Sequence, residues 1–183
     1  MYIRKLRGTA DMLRFRTRIG RQDLPLAYFR TGLCYGFFVE RNLIAGYCLV
    51  HAPLNEMQSI QQIPKTASKQ FGDEDPFNYR EFVGYFLNTK KHAFKFKLHL
   101  LKTLLFHKAA YVVYAYSTDQ TEVEQFCLKG NPLRLYSGLP TGGKFPVNVE
   151  IMTKRGILKI CSILVIKAFV KRVREWIRPS EKL

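Results

Sequence analysis

Two apolar, strand-like runs joined by a short polar turn are the feature that most constrains how this chain of 183 residues can fold. The runs are residues 35–40 and 43–50, and Arg41 and Asn42 lie between them. Both runs are rich in aromatic and branched apolar residues, and two such runs separated by two polar residues are typical of a β-hairpin. The chain is therefore expected to contain antiparallel strands.

Further strand-like runs alternate with segments of helical periodicity along the chain. Strands are predicted at residues 2–6, 80–88, 110–116, 132–137 and 147–152. Helices are predicted at residues 9–29 (divided near Gly20 and Pro25), 89–107, 117–130 and 157–178. This mixture predicts an α/β (α+β) fold: a mixed, mostly antiparallel sheet flanked by helices, with an amphipathic helix at the C-terminus.

One long stretch, residues 54–79, lacks sustained periodicity and is rich in Gln, Ser, Asp and Pro. A segment of this length without regular structure usually serves a function or is disordered. We therefore expect residues 54–79 to form a mobile excursion on the surface.

The positive charge of the chain is concentrated in three segments. Residues 1–50 carry nine basic against three acidic side chains, residues 90–108 carry six against none, and residues 151–183 carry nine against two, within a net charge of +16. Such clusters favour anionic partners, whether nucleic acid, phospholipid head groups or a phosphorylated cofactor. An apolar content of 47% nevertheless supplies a core and excludes an intrinsically disordered chain.

The four cysteines are predicted to be free thiols, because three of them lie inside apolar runs, where a free Cys behaves as a small hydrophobe. They are Cys34, Cys48, Cys127 and Cys161. Free thiols indicate a reducing compartment. No apolar run reaches the roughly 18–20 residues that a membrane-spanning helix needs. The N-terminus also lacks the apolar stretch of a signal peptide. A cytoplasmic protein is expected, peripheral to a membrane if the basic segments contact lipid.

The order of the predicted elements resembles that of the GNAT (N-acetyltransferase-like) acyltransferase superfamily. Residues 36–47 are similar to that family's second and third strands around a tight turn, and residues 81–88 to its fourth strand, which leads straight into a helix. Residues 121–130, followed by residues 133–138, are similar to the late helix and the strand after it. The resemblance covers residues 1–152 and implies an acyl-CoA cosubstrate, no permanently bound cofactor, and an acceptor of unknown identity.

The turn after the fourth strand departs from the family pattern. GNAT proteins usually present a glycine-containing turn there, whose backbone N–H groups take the pyrophosphate of coenzyme A. Here the turn begins at Asn88 and contains no glycine, so the resemblance is to a divergent member. A helix N-terminus still offers N–H donors, and cationic side chains lie close to it. The resemblance thus implies the following residues for acyl-CoA binding: Leu87, Asn88, Thr89, Lys90, Lys91, His92 and Phe94.

Acyl transfer to an amine needs a base that deprotonates the ammonium and an acid that protonates the leaving thiolate. Glu81 is the candidate base, and strict alternation along the strand would place it on one face with Val83, Tyr85 and Leu87. A salt-bridged surface position is the alternative for Glu81. Tyr85 and Tyr116 are the candidate acids. The histidines show no spacing with Cys or acidic partners that suits a metal, so no metal site is predicted.

The leading interpretation is an acyl-CoA-dependent acyltransferase, or a relative that binds an acyl thioester without turning it over. The alternative is a non-catalytic basic protein that binds nucleic acid or an anionic membrane surface. Nucleic acid is the less favoured partner because charge alone indicates it, without a recognised DNA- or RNA-binding motif.

Residues 1–156 are predicted to form the GNAT-like domain, and residues 157–183 a basic amphipathic helix packed on the same domain. At 100° per residue this helix has a wide apolar arc and a narrow cationic strip. Three uses stay open for the arc: packing in the core, pairing with a second copy in a homodimer, or contact with an anionic membrane surface through residues 157–178, with Trp176 at the interface.

Overall fold

A single seven-stranded sheet forms the centre of the molecule. The computed structural model describes residues 1–65 and 78–177, without the side chains of residues 175–177. Its strands are β1 (Tyr2–Lys5), β2 (Leu33–Val39), β3 (Asn42–Val50), β4 (Tyr79–Leu87), β5 (Tyr111–Ser117), β6 (Leu133–Gly138) and β7 (Val147–Thr153). They lie in the order β1-β2-β3-β4-β5-β7-β6. Within the described residues, the β4–β5 pair is parallel and every other pair is antiparallel.

Helices cover both faces of this sheet. They are α1 (Thr9–Arg18), α2 (Leu26–Arg30), α3 (Gln58–Gln61), α4 (Ala93–Phe106), α5 (Thr121–Leu128) and α6 (Lys154–Ile177). The predicted fold class is therefore confirmed. The sequence also placed all seven strands and five of these six helices correctly, because their apolar residues recur with the period of each element.

The two faces of the sheet have separate cores, which gives each face its own set of helices. On one face, Phe15 of α1, Phe29 of α2 and Ile60 of α3 pack together with the sheet. On the other face, Leu101 of α4, Cys127 of α5 and the first turns of α6 form a second cluster. We call these the α1–α3 face and the α4–α6 face.

The first part of the predicted surface excursion, residues 54–63, belongs to the core instead. A 3-10 turn at Leu54–Glu56 leads into α3, and Met57 and Ile63 are buried on the α1–α3 face. The segment is short and its apolar residues do not repeat with a single period, so the sequence pattern does not indicate that the segment is buried. Residues 66–77 of the predicted excursion lie outside the described residues.

The hairpin of β2 and β3 corrects the prediction of free thiols for two of the four cysteines. Its turn is formed by Glu40 and Arg41, one residue earlier than predicted. A bulge between Phe37 and Phe38 shifts the register, so that Cys34 lies directly opposite Cys48. The two cysteines are joined by a disulfide. Both are fully buried.

Candidate active site

Strands β4 and β5 pair at one end and separate at the other. Their register runs from Tyr79 opposite Tyr111 to Phe82 opposite Tyr114, and stops there. Both strands continue past this point, β4 to Leu87 and β5 to Ser117. Backbone groups that leave a ladder are available to an extended ligand. We call the opening between residues 83–87 and 115–117 the β4–β5 cleft.

A bulge in β4 divides the side chains of that strand between the two faces of the sheet. Phe82 pairs with Leu49 and Gly84 with Cys48, so Val83 is an extra residue. An extra residue reverses the alternation of the side chains that follow it. Val83 and Phe86 therefore both pack on the α1–α3 face.

The same bulge separates the predicted base from one of the predicted acids. Tyr85 stacks on Phe82 and contacts Phe96 of α4, which places it on the α4–α6 face. Glu81 lies on the α1–α3 face, because it contacts Tyr28 of α2 and Ser59 of α3. The prediction that Glu81 and Tyr85 share a face is thus wrong, since strict alternation does not survive the bulge.

Glu81 is buried, with 1% of its surface exposed, and its two oxygens accept four hydrogen bonds. The Tyr28 hydroxyl and the backbone N–H of Gln58 donate to one oxygen. The backbone N–H and the hydroxyl of Ser59 both donate to the other oxygen at 2.6 Å. Burial, followed by the adjacent carboxylate, raises the pKa of Tyr28, which keeps this tyrosine a donor. Glu81 is thus a buried carboxylate at the start of α3 and not a salt-bridged surface residue.

A second buried carboxylate, Glu150 of β7, lies on the α4–α6 face beside the cleft. It is directly opposite Tyr114 on β5 and directly opposite Arg134 on β6. The hydroxyls of Tyr114 and Tyr116 donate to its two oxygens at 2.9 and 3.0 Å. Arg134 donates to Glu150 from Nε at 3.0 Å and from Nη2 at 2.8 Å.

We call Glu150, Tyr114, Tyr116 and Arg134 the Glu150 cluster. This cluster holds the predicted acid Tyr116 in its protonated form. Burial, and then the hydrogen bond to Glu150, raises the pKa of Tyr116 to about 12. Burial also raises the pKa of Cys127, on α5 beside Tyr114, to about 11. Both groups are therefore neutral at pH 7, and Cys127 is a protonated thiol rather than a nucleophilic thiolate.

Arg134 ties the cluster to helix α5. Its Nη2 also donates to Glu124 at 2.7 Å, so one guanidinium bridges a buried and a half-buried carboxylate. These hydrogen bonds, to Glu124 first and Glu150 second, raise the pKa of Arg134. The positive charge is thereby fixed between the edge strand β6 and helix α5.

Sequence reasoning did not single out Glu150 or Arg134. The signal available was weak: Asn148 and Glu150 are two polar residues spaced by two in an otherwise apolar strand. Such spacing places both on one face of a strand. It does not say which residues of neighbouring strands they meet, because this depends on the register.

The residues predicted to bind acyl-CoA lie together where β4 enters α4. The backbone N–H of Asn88 donates to Ile44 of β3 at 2.9 Å, which fixes the end of the strand. Thr89 then caps a 3-10 turn at Lys90–His92 by accepting from the N–H of Lys91 at 3.3 Å. No side chain caps the following helix α4 at its N-cap residue, His92. The N–H of Ala93, the first residue of α4, donates to the backbone oxygen of Lys90 in the 3-10 turn, and the side chains of Lys90 and Lys91 are exposed beside the start of the helix.

Among residues 1–65 and 78–177, no three His, Cys, Asp or Glu side chains come together in a way that could hold a metal ion. No helix in this part of the chain combines the length and apolarity of a membrane span.

The chain matches no protein-family model and no curated protein by sequence. Solved structures do resemble it. An acetyltransferase of Bacillus subtilis in complex with CoA superimposes with a TM-score of 0.54 at 11% identity, over 82% of this chain and 97% of that chain. FeeM, an N-acyl amino acid synthase from uncultured soil microbes, gives 0.59 at 14% identity, over 84% and 90%. AAC(6')-Ib in complex with paromomycin and acetyl-CoA gives 0.53 at 14% identity, over 84% and 93%.

These structures are GNAT acyltransferases, and this protein has the GNAT fold. The predicted resemblance is confirmed at the level of the fold, and the low identity marks a divergent example.

Proposed function

We propose that the protein is an acyl-CoA-dependent N-acyltransferase that carries out the transfer in the β4–β5 cleft. The observation that carries the proposal is the end of the β4–β5 register at Phe82 and Tyr114, just before the exposed lysines that precede α4. An acyl thioester placed in this opening meets unpaired strand edges, and its pyrophosphate meets a helix N-terminus. The CoA complexes of the structural neighbours support a CoA-type cosubstrate.

In this proposal the two faces of the sheet serve different substrates. Helix α4 packs on the α4–α6 face, so a CoA molecule bound at residues 87–94 reaches the cleft from that side. Tyr85 and Tyr116 lie on the same side. The acceptor amine then approaches from the α1–α3 face, where Glu81 lies.

The proposed reaction is a direct acyl transfer. The amine nitrogen attacks the thioester carbonyl carbon, a C–N bond forms, and the C–S bond breaks. One proton of the acceptor ammonium passes to Glu81, directly or through water. The CoA thiolate takes a proton from Tyr85 or Tyr116, and the second proton that the nitrogen loses on forming the amide returns through water to that tyrosine. Because Glu81 already accepts four hydrogen bonds, it must release one donor as it takes up the proton.

The test is calorimetric binding of CoA, acetyl-CoA and a long-chain acyl-CoA to wild-type protein and to a variant carrying Lys90→Ala and Lys91→Ala. We expect saturable binding that the double substitution weakens by about 1–3 kcal/mol, because charge-assisted hydrogen bonds to phosphate are lost. A matched control removes two exposed lysines elsewhere, by Lys129→Ala and Lys144→Ala.

Absence of saturable binding at millimolar ligand would reject the proposal. An equal loss of CoA affinity in the control variant would show that Lys90 and Lys91 contribute only nonspecific electrostatic attraction. Tight binding without turnover of any amine tested would favour a binding protein that has kept the GNAT fold. The nucleic-acid and homodimer partners suggested by the sequence stay predictions.

A further inference from the structure

Helix α6 is buried only in its first turns. Ile157 and Ile160 are 1% and 2% exposed and complete the core of the α4–α6 face. Further along the helix large apolar side chains are open to solvent: Val165 is 51%, Ile166 60% and Phe169 67% exposed. The C-terminal half of α6 therefore has an apolar side that the domain does not use.

The exposed apolar residues in the C-terminal half of α6 form one continuous arc. At about 100° per residue, Val165, Ile166, Phe169 and Val170 fall within an arc of about 140°, on the side opposite Ile157 and Ile160, and no charged residue between 165 and 174 falls inside it. Cationic residues border this arc, with Lys167 and Arg174 at one edge and Arg172 at the other. An apolar centre between two cationic edges is the pattern of a helix that lies in a membrane interface.

Helix α4 widens this surface. Its side chains Phe94 and Leu98 are 51% and 46% exposed, whereas Phe96 and Leu101 are buried. Phe94 and Leu98 line a shallow groove together with Val165 of α6. We call the resulting surface the α4/α6 face patch, defined by Phe94, Leu98, Val165, Ile166, Phe169 and Val170.

We propose that the α4/α6 face patch docks the protein on the surface of an anionic phospholipid bilayer. Charge complementarity selects this partner. The sequence of α4 contains no Asp or Glu and that of α6 contains only Glu175, whereas residues 90–108 and 151–183 carry fifteen of the thirty basic side chains. Lipid phosphates meet these cations while the apolar side chains enter the headgroup boundary.

The other occupants of such a surface fit less well. Pairing with a second copy would bring two cationic helices together without acidic partners, and like charges in contact oppose association. Nucleic acid would satisfy the cations but would leave Phe169 and Ile166 in water, because phosphate contacts use polar and charged groups.

The docking surface is adjacent to the proposed acyl-CoA turn. The N–H of Lys154, at the start of α6, donates to Ala110, which follows α4 in the chain. Val165 already borders Phe94 in the first turn of α4. The two helices thus run antiparallel, and α6 continues past the N-terminus of α4. Docking would bring the mouth of the β4–β5 cleft to the lipid, although the docking itself does not depend on the proposed enzymatic function.

The experiment is co-sedimentation of the full-length protein with phosphatidylcholine vesicles, with and without phosphatidylglycerol, at low and high salt. We expect binding only when phosphatidylglycerol is present, and weaker binding as salt rises. The variant Ile166→Glu, Phe169→Glu should bind about tenfold or more weakly, since it removes apolar contacts and adds anions. The control Phe106→Ser changes an exposed aromatic residue, 78% exposed, at the other end of α4 and should bind like wild type.

Fluorescence of Trp176, the single tryptophan, gives a second readout through a blue shift on binding to these vesicles. No sedimentation with anionic vesicles would overturn the proposal. So would equal binding by wild type and the Glu variant. If the Glu substitutions instead dissolve a dimer seen by light scattering, or if only duplex DNA binds, the partner is a second copy or nucleic acid and the proposal is wrong. Loss of CoA binding with lipid binding intact would affect only the proposed enzymatic function.

Discussion

Glu150 and Arg134 lie directly opposite each other on β7 and β6, joined by hydrogen bonds of 3.0 and 2.8 Å. The side chain of Glu150 is only 1% exposed, whereas the side chain of Arg134 is 40% exposed. Glu150 is therefore in the protein interior, and Arg134 connects it to solvent and to α5. The buried charge of Glu150 therefore depends on one side chain for its cationic partner.

Replacing Arg134 should lower the free energy of unfolding. Arg134→Met leaves the buried Glu150 without its cation, and we expect the free energy of unfolding to fall by about 2–3 kcal/mol, less than for a wholly buried pair. Urea unfolding followed by circular dichroism measures this loss. The control Arg21→Met removes a surface partner of Asp23 and should cost at most about 1 kcal/mol. Similar losses in both variants would contradict the expectation.

Tyr85→Phe tests the proton donor for the leaving thiolate. If Tyr85 is the acid, kcat with any acyl-CoA should fall about 100-fold while CoA affinity changes little. Burial raises the pKa of Tyr85 from its ordinary value, so its own ionisation should cause little loss of wild-type activity between pH 7 and pH 9. Full activity of Tyr85→Phe, together with inactive Tyr116→Phe, would transfer the role to Tyr116.

Glu81→Gln separates a catalytic from a structural carboxylate. The amide keeps one oxygen acceptor but presents N–H groups to donors that the carboxylate satisfied, so we expect a stability loss of about 1–3 kcal/mol. If Glu81 is also the base, kcat should fall at neutral pH and recover in part with rising pH, as the acceptor amine loses its proton unaided. A folded variant with wild-type kcat would leave Glu81 only a structural role.

His107 should make the fold sensitive to acid. Burial lowers the pKa of His107 to about 4, helped by the nearby cations Lys154 and Arg80, against 6.5 in the unfolded chain. The unfolded state therefore takes up the proton first, so stability is complete above pH 6.5 and declines as pH falls toward 4. Between pH 7 and pH 5 the loss from this group should be about 2 kcal/mol.

The variant His107→Leu isolates that contribution. Urea unfolding at pH 7 and pH 5 should show a smaller decline for the variant than for wild type. An identical decline in the two proteins would mean that other groups cause the acid sensitivity.

The disulfide between Cys34 and Cys48 should be detectable by thiol counting in denaturant. Two thiols, those of Cys127 and Cys161, should react before reduction and four after it. Because the bond closes a loop with a sequence separation of 14, the double variant Cys34→Ser, Cys48→Ser should lose about 3 kcal/mol, whereas Cys161→Ser should lose far less. Four reactive thiols without reductant would show that the cysteines are free.

The regular elements could be predicted from the sequence because each is long enough to show its period. Bulges could not be predicted, and two of them decide the details. The hairpin turn pairs Val39 with Asn42, and an unbroken register from there would face Cys34 with Tyr47; the bulge at Phe37 moves Cys48 into that place. The apolar surroundings of the cysteines indicated free thiols, and the sequence does not show the register that brings Cys34 and Cys48 together.

The candidate site was predictable only where its residues are consecutive. Residues 87–94 form one turn, so a strand followed by a helix was enough to locate them. The Glu150 cluster joins three strands whose contacts depend on register, and short α3 carries too few apolar residues to show periodicity. Long-range pairing, rather than local preference, brings these groups together.

The bulge at Val83 changes the phase in which the side chains of β4 alternate between the two faces of the sheet. Side chains before the bulge and side chains after it alternate out of phase with each other. Val83 and Tyr85, two residues apart, therefore face opposite sides of the sheet. A deletion of Val83 would restore uniform alternation and leave Tyr85 and Phe86 on their present sides, because the residues after the deletion would keep their partners on β3. A substitution after the bulge can therefore alter one face of the sheet while leaving the other face untouched.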